Sequence, residues 1–288
     1  MTLDELLQAE IPRQPVADLA YTDILRLDQL HPLISGNKAF KLSGHLAAAE
    51  HQPELALLSF GGPFSNHLHA LAAAGKLLKR RTIGVVRGYA DVALTPTLMD
   101  CRDWGMELVF ADKQSYARRY EPDYQQQLAS RYQALVIPEG GGGEAGEVGC
   151  ERLARHCLGY QQVWLAAGSG TTAQGLIKAL RGSNTEVVAV NVVADRGELR
   201  RRWQQQLAAD NWRLLENYHL GGFAKCPAEL RQLIRHYDQQ QLPLEPVYTA
   251  KLVWAYRQQY QSDPALQQQQ RVLLIHSGGL QGRRGYPL

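Results

Sequence analysis

The segment VWLAAGSGTTAQGLIKAL, residues 163–180, decides the fold class of this chain. An uninterrupted apolar run leads into a turn of glycine, serine and threonine, which leads into a stretch with helical apolar spacing. Consecutive apolar residues are typical of a strand that is covered on both faces of a parallel sheet. The segment therefore predicts a strand, a turn and a helix of an α/β protein.

The same unit recurs along the chain, where short apolar runs alternate with helical stretches. These runs are LALLSF (55–60), TIGVVRG (82–88), ELVFAD (107–112), ALVIPEGG (134–141), EVVAVNVV (186–193) and RVLLIH (271–276). Four consecutive glycines at 140–143 close the first group of units and are a candidate hinge. An α/β architecture follows.

Composition excludes several classes of protein. The 288 residues suffice for one large or two moderate domains, and the 31 basic and 28 acidic side chains leave a formal charge of +3. This charge gives no field that would attract nucleic acid or an anionic membrane. The sequence shows no signal peptide or apolar run of membrane-spanning length, so we expect a cytoplasmic protein.

The cysteines and histidines predict no metal site. The four cysteines are scattered without a CxxC pair, so we expect reduced and mostly buried thiols. His67 and His69 are close in sequence, but on a helix they point to different faces.

The first segment with chemical potential is SGNKAFKLSGHLAAA (35–49). Ser35, Gly36 and Asn37 form a helix start signal, which places Lys38 in the first turn. The free amides of that turn and the positive charge of Lys41 both disfavour an ammonium at Lys38. A neutral amine is what Schiff-base chemistry requires, although a lysine in such a place is also commonly an ordinary solvated side chain.

Two further segments carry polar groups at predicted strand ends. In LALLSFGGPFSNHLHALAAAGK (55–76), Ser65 and Asn66 open a helix at the carboxyl edge of a sheet, where α/β proteins bind ligands. Ser65 is equally explained as a simple helix cap. In the segment 163–180, the turn of small residues suits a phosphate, because its amides and hydroxyls donate hydrogen bonds. It lacks the GK[ST] ending of a nucleotide P-loop, and a plain strand-to-helix turn is the alternative.

The fourth signal is a pair of segments near the C-terminus, EPVYTAKLVWAY (245–256) and RVLLIHSGGLQGRRGY (271–286). Tyr248 at a helix start is a candidate acid or base, and Ser277 just past a strand is a candidate partner of a heteroaromatic nitrogen. Taken singly, a core tyrosine and a turn serine explain them equally well.

Together, the strings GNKAFKL, FGGPFSNHLHALAAA, GSGTTAQG, PVYTAK and HSGGLQG resemble the aminocyclopropane-carboxylate deaminase and D-cysteine desulfhydrase family, in the same order and at similar separations. The resemblance runs from about residue 20 to the C-terminus. It implies pyridoxal 5'-phosphate as cofactor and a fold type II, tryptophan synthase beta-like architecture with two open, twisted, mainly parallel sheets flanked by helices. We expect residues 1–50 and 153–288 to form a large domain that binds the cofactor, residues 51–152 a small domain, and the chain a homodimer.

The resemblance also implies roles for single residues. Lys38 matches the lysine that links to the cofactor, Asn66 the residue that hydrogen-bonds its ring oxygen, and Ser65 and Tyr248 residues that contact the substrate. Thr249 and Ser277 match positions near the pyridine nitrogen. The phosphate cup matches Gly168, Ser169, Gly170, Thr171 and Thr172.

Two departures from the family's ring-opening deaminases favour β-elimination. Those enzymes carry Glu after the tyrosine of PVY, where this chain has Thr249. A neutral hydroxyl does not keep the ring nitrogen protonated, so the cofactor becomes a weaker electron sink. They also carry a second tyrosine, whose counterpart in YHLGGFAKCPAEL (218–230) is Phe223, with Tyr218 as a possible substitute.

The sequence therefore predicts a pyridoxal-phosphate lyase that removes a β-substituent and the amino group from a small amino acid, with D-cysteine as the model substrate. The alternatives on the same scaffold are 1-aminocyclopropane-1-carboxylate deamination and dehydration of a hydroxy amino acid. A pyridoxal-phosphate-binding protein with little turnover, and an α/β protein without this cofactor, stay open as different classes.

Overall fold

A computed structural model describes residues 3–34, 36–268 and 270–288. The helices in these ranges are α1 Leu3–Gln8, α2 Asn37–Ala48, α3 Asn66–Leu78, α4 Pro96–Asp103, α5 Lys113–Ala117, α6 Pro122–Tyr132, α7 Glu144–Glu151, α8 Thr171–Ala179, α9 Glu198–Gln206, α10 Ala228–Gln239, α11 Thr249–Ser262 and α12 Pro264–Gln268. The strands are β1 Arg13–Pro15, β2 Thr22–Arg26, β3 Ala56–Gly61, β4 Thr82–Arg87, β5 Met106–Ala111, β6 Ala134–Val136, β7 Gln162–Ala167, β8 Glu186–Asn191, β9 Trp212–Leu215 and β10 Val272–His276.

The strands form two separate sheets. One has the order β5-β4-β3-β6 and is parallel throughout. The other has the order β1-β2-β10-β7-β8-β9, and its strands are parallel except for β1, which pairs with β2 in antiparallel fashion. The expectation of two open, mainly parallel sheets flanked by helices is confirmed. The first sheet lies inside the range 51–152 expected for a small domain, and the limits of the two domains stay a prediction.

The central strand β7 shows why its sequence is apolar at consecutive positions. Val163, Leu165 and Ala167 point into the hydrophobic cluster on one face of the sheet, and Trp164 and Ala166 into the cluster on the other. Both faces are therefore buried, and neither needs polar side chains. Each apolar run quoted from the sequence overlaps one of the observed strands, with ends that differ by at most one residue for β3, β5 and β7.

Close helix packing brings the start of α2 near the start of α8. The helix α7 packs against both of them. A Cβ atom on Gly44 of α2 would lie 1.8 Å from the Ala145 carbonyl oxygen, and one on Gly149 would lie 2.1 Å from the Phe40 carbonyl oxygen. Only glycine permits this approach of the two backbones. Lys38 and the turn before α8 are thereby held on the same side of the large sheet.

In the ranges that the structure describes, no helix is both long and apolar enough to cross a bilayer.

Candidate active site

Lys38 lies in the first turn of α2, and its position depends on a glycine. Gly36 has φ of 77° and donates its amide to the Leu27 carbonyl at 2.7 Å. A Cβ atom at Gly36 would lie 2.1 Å from the Ser277 carbonyl oxygen. This contact joins the start of α2 to the turn after β10, where Ser277 was expected. Ser35, the first residue of the predicted start signal, lies outside the described residues.

The amine of Lys38 is partly enclosed and only weakly held. Its Nζ donates to Asn37 Oδ1 at 3.1 Å and lies 5.9 Å from the centre of the Tyr248 ring. Burial, and after it the positive charge of Lys41, lower the pKa of Lys38 to about 7. The sequence argument identified the charge of Lys41 but missed burial, which has the larger effect. An amine that is partly neutral near pH 7 is chemically available as a nucleophile or a base.

The turn Gly168–Thr172 follows β7 and opens α8. Gly170 has φ of 85°, and the helix begins at Thr171. The hydroxyls of Ser169 and Thr171 are 3.1 Å apart, and Asn37 Nδ2 donates to Thr172 Oγ1 at 2.8 Å. The turn thus presents helix amides and hydroxyls next to the residue that precedes Lys38, an arrangement suited to a phosphate.

Lys41 belongs to the same place, and the sequence reasoning gave it no role beyond its charge. The side chain is 3% exposed, and Nζ donates to the Gly140 carbonyl at 3.0 Å and to Ser169 Oγ at 3.3 Å. It therefore brings a cationic group to the turn before α8. The spacing of three residues from Lys38 on one helix was the signal that could have found it.

The segment between β3 and α3 reaches the site from the smaller sheet. Ser65 Oγ accepts the Leu68 amide at 3.2 Å, so the helix cap considered from the sequence is confirmed. Asn66 Oδ1 accepts a hydrogen bond from Gln281 Nε2 at 2.6 Å, and a Cβ atom on Gly279 would lie 2.4 Å from Asn66 Nδ2. Both residues are half-buried at the carboxyl edge of β3. The Ser65 hydroxyl keeps its own proton for donation to a ligand.

Tyr248 and Thr249 open α11 on the other side of the turn. The Tyr248 ring packs on Gly168, where an added Cβ atom would lie 3.1 Å from the ring edge. Burial raises the pKa of Tyr248, so its hydroxyl stays protonated. Thr249 Oγ1 is buried, and among the described residues it has no hydrogen-bond partner. A buried hydroxyl without a partner is rare, and it suggests that a bound group completes the site.

Glu245 fixes this start of α11, and the sequence reasoning missed it. The side chain is 1% exposed and accepts the backbone amides of Val247 at 2.9 Å, Tyr248 at 2.5 Å and Thr249 at 2.6 Å. Burial raises the pKa of Glu245 to about 7. An acidic residue a few positions before a helix is a capping signal that could have found it.

The structure separates the two candidates for a second aromatic residue. The rings of Phe223 and Tyr248 meet edge to face, with their centres 5.9 Å apart. Tyr218 lies elsewhere, because its hydroxyl accepts a hydrogen bond from Gln259 Nε2 at 2.8 Å, in the last turn of α11. Phe223 is therefore the residue beside Tyr248, and Tyr218 does not replace it.

The histidines near α3 have separate partners. His67 is buried and hydrogen-bonds Ser59 Oγ at 2.8 Å, whereas His69 contacts Asp100 at 3.1 Å. Their predicted divergence is confirmed. Within the described ranges, no group of three or more His, Cys, Asp or Glu residues is placed to hold a metal ion.

Comparisons with known proteins agree with the resemblance. No protein-family model matches the chain. A putative 1-aminocyclopropane-1-carboxylate deaminase of Pyrococcus horikoshii is 27% identical over 98% of this chain and 93% of its own. The mitochondrial bifunctional D-cysteine desulfhydrase/1-aminocyclopropane-1-carboxylate deaminase of Arabidopsis thaliana is 25% identical over 86% of this chain and 70% of its own.

A solved structure shows the same architecture. The crystal structure of an aminocyclopropane-carboxylate deaminase homologue matches with a TM-score of 0.84 at 24% identity, covering 96% of this chain and 92% of that one. The likeness establishes the fold type II scaffold. The chain is thus similar to proteins of the aminocyclopropane-carboxylate deaminase and D-cysteine desulfhydrase family.

Proposed function

We propose that this protein is a pyridoxal-phosphate lyase that eliminates a β-substituent and the amino group from a small amino acid, with D-cysteine as the model substrate. The single observation that carries the proposal is the amine of Lys38, whose pKa is lowered to about 7. It stands beside a turn of glycines and hydroxyls that fits a phosphate. The name of the Arabidopsis relative includes D-cysteine desulfhydrase and supports this chemistry, whereas the Pyrococcus relative carries the name of the ring-opening alternative.

The described residues fit the cofactor at both of its polar ends. The turn Gly168–Thr172 and the Lys41 ammonium would hold the phosphate, because they supply donors and positive charge. Thr249 Oγ1, buried and without a described partner, would face the pyridine nitrogen. Asn66 would donate to the ring oxygen from the opposite sheet. Ser277 directly follows β10, and its hydroxyl would be a second contact to the pyridine nitrogen.

When bound, the cofactor would supply an aldehyde for an amino group and an electron sink for the substrate α-carbon. Lys38 would take the α-proton, since its pKa of about 7 lets the amine be neutral. The Ser65 hydroxyl would donate to the substrate carboxylate while its lone pair caps α3. Tyr248 would stay neutral and donate a hydrogen bond from the other side.

Thr249 and Phe223 favour elimination over ring opening. A neutral threonine hydroxyl does not hold a proton on the pyridine nitrogen, so reactions that expel a leaving group promptly from the β-carbon are favoured. Phe223 occupies the place beside Tyr248, and a phenyl ring does not exchange protons.

The decisive experiment loads the protein with pyridoxal phosphate and offers both enantiomers of cysteine and serine, together with 1-aminocyclopropane-1-carboxylate. We expect D-cysteine to yield pyruvate, sulfide and ammonia. If 1-aminocyclopropane-1-carboxylate is the only substrate that reacts, and it yields 2-oxobutyrate, the protein is a deaminase instead. Bound cofactor without turnover of any substrate would identify a binding protein, and a colourless protein would refute the proposal.

A further inference from the structure

The loop of residues 219–225, between β9 and α10, has an unusual backbone. Positive φ values occur at Leu220 (54°), Gly221 (91°), Gly222 (118°) and Ala224 (63°). Leucine and alanine rarely adopt this conformation, because their Cβ atoms crowd the backbone. Such a conformation persists only where neighbouring groups hold it, and it is common at functional sites.

Two side chains from elsewhere hold the 219–225 loop. Lys251 on α11 is fully buried, and its Nζ donates to the carbonyl of His219 at 2.9 Å and to that of Gly222 at 2.7 Å. Tyr286 donates its hydroxyl to the Ala224 carbonyl at 3.1 Å. Burial of a lysine is unfavourable unless its N–H groups form hydrogen bonds. The ammonium of Lys251 therefore keeps these two carbonyls in place.

The anchored carbonyls flank Phe223. Its neighbours Gly222 and Ala224 are both tied to buried or half-buried groups, yet the Phe223 side chain is 53% exposed. Its ring meets Tyr248 edge to face at 5.9 Å between centres, and Tyr248 in turn lies 5.9 Å from Lys38 Nζ. An exposed aromatic ring on an anchored stretch of backbone therefore lies one ring beyond the reactive amine.

We propose that Phe223 forms the apolar wall against which the substrate β-substituent packs, and that Lys251 and Tyr286 are positioning residues that hold this wall. The inference rests on the proposed function for the site. The wall admits uncharged substituents such as a thiol or a thioether, because they lose little hydration against a phenyl ring. It disfavours a carboxylate, which loses hydration there and gains no donor from the ring.

The test compares two amino acids that lack a β-leaving group, 2-aminobutyrate and aspartate, each as both enantiomers. Their dissociation constants are measured by calorimetry on the loaded protein, so turnover is not needed. We expect 2-aminobutyrate to bind at least tenfold more tightly than aspartate, and Phe223→Ala to reduce that ratio at least fivefold. The matched control is Leu158→Ala, an exposed side chain before β7, at the opposite edge of the sheet.

An unchanged ratio in Phe223→Ala, or an equal change in Leu158→Ala, would overturn the wall. For substrates that do react, we expect Phe223→Ala to lower the preference for S-methylcysteine over S-carboxymethylcysteine. The change should appear in KM rather than in kcat. If the wild-type protein catalyses no elimination and Phe223→Ala still changes the calorimetric ratio, the proposed function is wrong and the apolar wall is supported. If the wild-type protein releases sulfide and Phe223→Ala leaves the ratio unchanged, the proposed function is supported and the apolar wall is wrong.

The positioning residues have their own variants. Lys251→Met is expected to lower the same ratio at least threefold, with the cofactor absorbance retained and with partial recovery in Lys251→Arg. If Lys251→Met does not fold, Tyr286→Phe removes only the bond to Ala224 and is expected to lower the ratio about twofold. A Tyr286→Phe protein with the wild-type ratio would remove Tyr286 from the anchor. A folded Lys251→Met protein with the wild-type ratio would show that Lys251 does not position Phe223.

Discussion

The neutral fraction of Lys38 should control how fast the protein captures its cofactor. With a pKa of about 7, roughly half of these amines are neutral at pH 7, against roughly one in 3,000 for a lysine at the ordinary value of 10.5. Between pH 6 and pH 8 the neutral fraction rises about tenfold. We therefore expect the rate constant for reaction of the cofactor-free protein with pyridoxal phosphate to rise by the same factor.

The perturbation that tests the cause is Lys41→Met. The positive charge of Lys41 is, after burial, the second cause of the lowered Lys38 pKa, and a repulsion of on the order of 1–2 kcal/mol corresponds to a change of about 1 in that pKa. Removing the charge of Lys41 should move the midpoint of the pH profile upward by about 1. The Lys41→Met protein should also bind the cofactor more weakly, because Lys41 contacts Ser169 in the phosphate turn. The midpoint of the pH profile reports the pKa of Lys38, and the amplitude of the absorbance change reports how much cofactor binds, so the two effects are measured separately.

The assay follows cofactor absorbance after mixing at pH 5.5–9.5, traps the product with borohydride and identifies the labelled peptide. Lys76→Met changes an exposed lysine on α3 and serves as the control for altered net charge. A profile that is flat from pH 6 to 8 would refute the depressed pKa. A Lys41→Met midpoint equal to that of the wild type would refute the electrostatic explanation, and label on Lys41 would refute the choice of Lys38.

Three further predictions concern single substitutions. Lys38→Ala should abolish turnover while circular dichroism and the denaturant midpoint stay near wild type, and loss of folding would reveal a structural role. Glu245→Gln should change the pH dependence of stability: a carboxyl whose pKa is raised from 4.5 to about 7 holds its proton longer in the folded state. The free energy of unfolding of the wild type should therefore fall relative to that of the variant by about 3 kcal/mol between pH 4.5 and 7.5. An equal difference between the two proteins in urea unfolding at both pH values would contradict this. Gly36→Ala should destabilise the protein by about 3 kcal/mol or more, because its Cβ would meet Ser277 and its φ is positive; an unchanged midpoint would show that this turn relaxes freely.

The sequence predicted those strands whose own residues are apolar on both faces. It missed β2, which reads TDILR, because polar residues interrupt its apolar pattern. It also missed β1 and β9, which are three and four residues long and lie at the two edges of the large sheet. Such strands are defined by pairing with a neighbour rather than by their own periodicity.

The candidate site divides in the same way. Lys38, Asn66 and Thr249 were predicted because each lies in a short motif at a strand or helix end. The spacing of Lys41 from Lys38 was visible in the sequence, but the hydrogen-bond partners of Lys41 and Lys251 lie 29–128 positions away in the chain, so no local pattern reveals those partners. Phe223 required the structure for another reason, since the chain alone did not decide between it and Tyr218.

The segment 277–285 links parts of the molecule that are distant in sequence. Ser277 accepts the Asn37 amide at 3.1 Å, Gln281 donates to Asn66, Arg284 pairs with Asp100 of α4, and the Phe64 ring lies against Gly285. This stretch therefore contacts elements of both sheets next to the candidate site. In a random mutagenesis screen for lost activity, we expect inactivating substitutions in the segment 277–285 as well as at Lys38. We expect partial proteolysis within this segment to release the cofactor before either sheet unfolds.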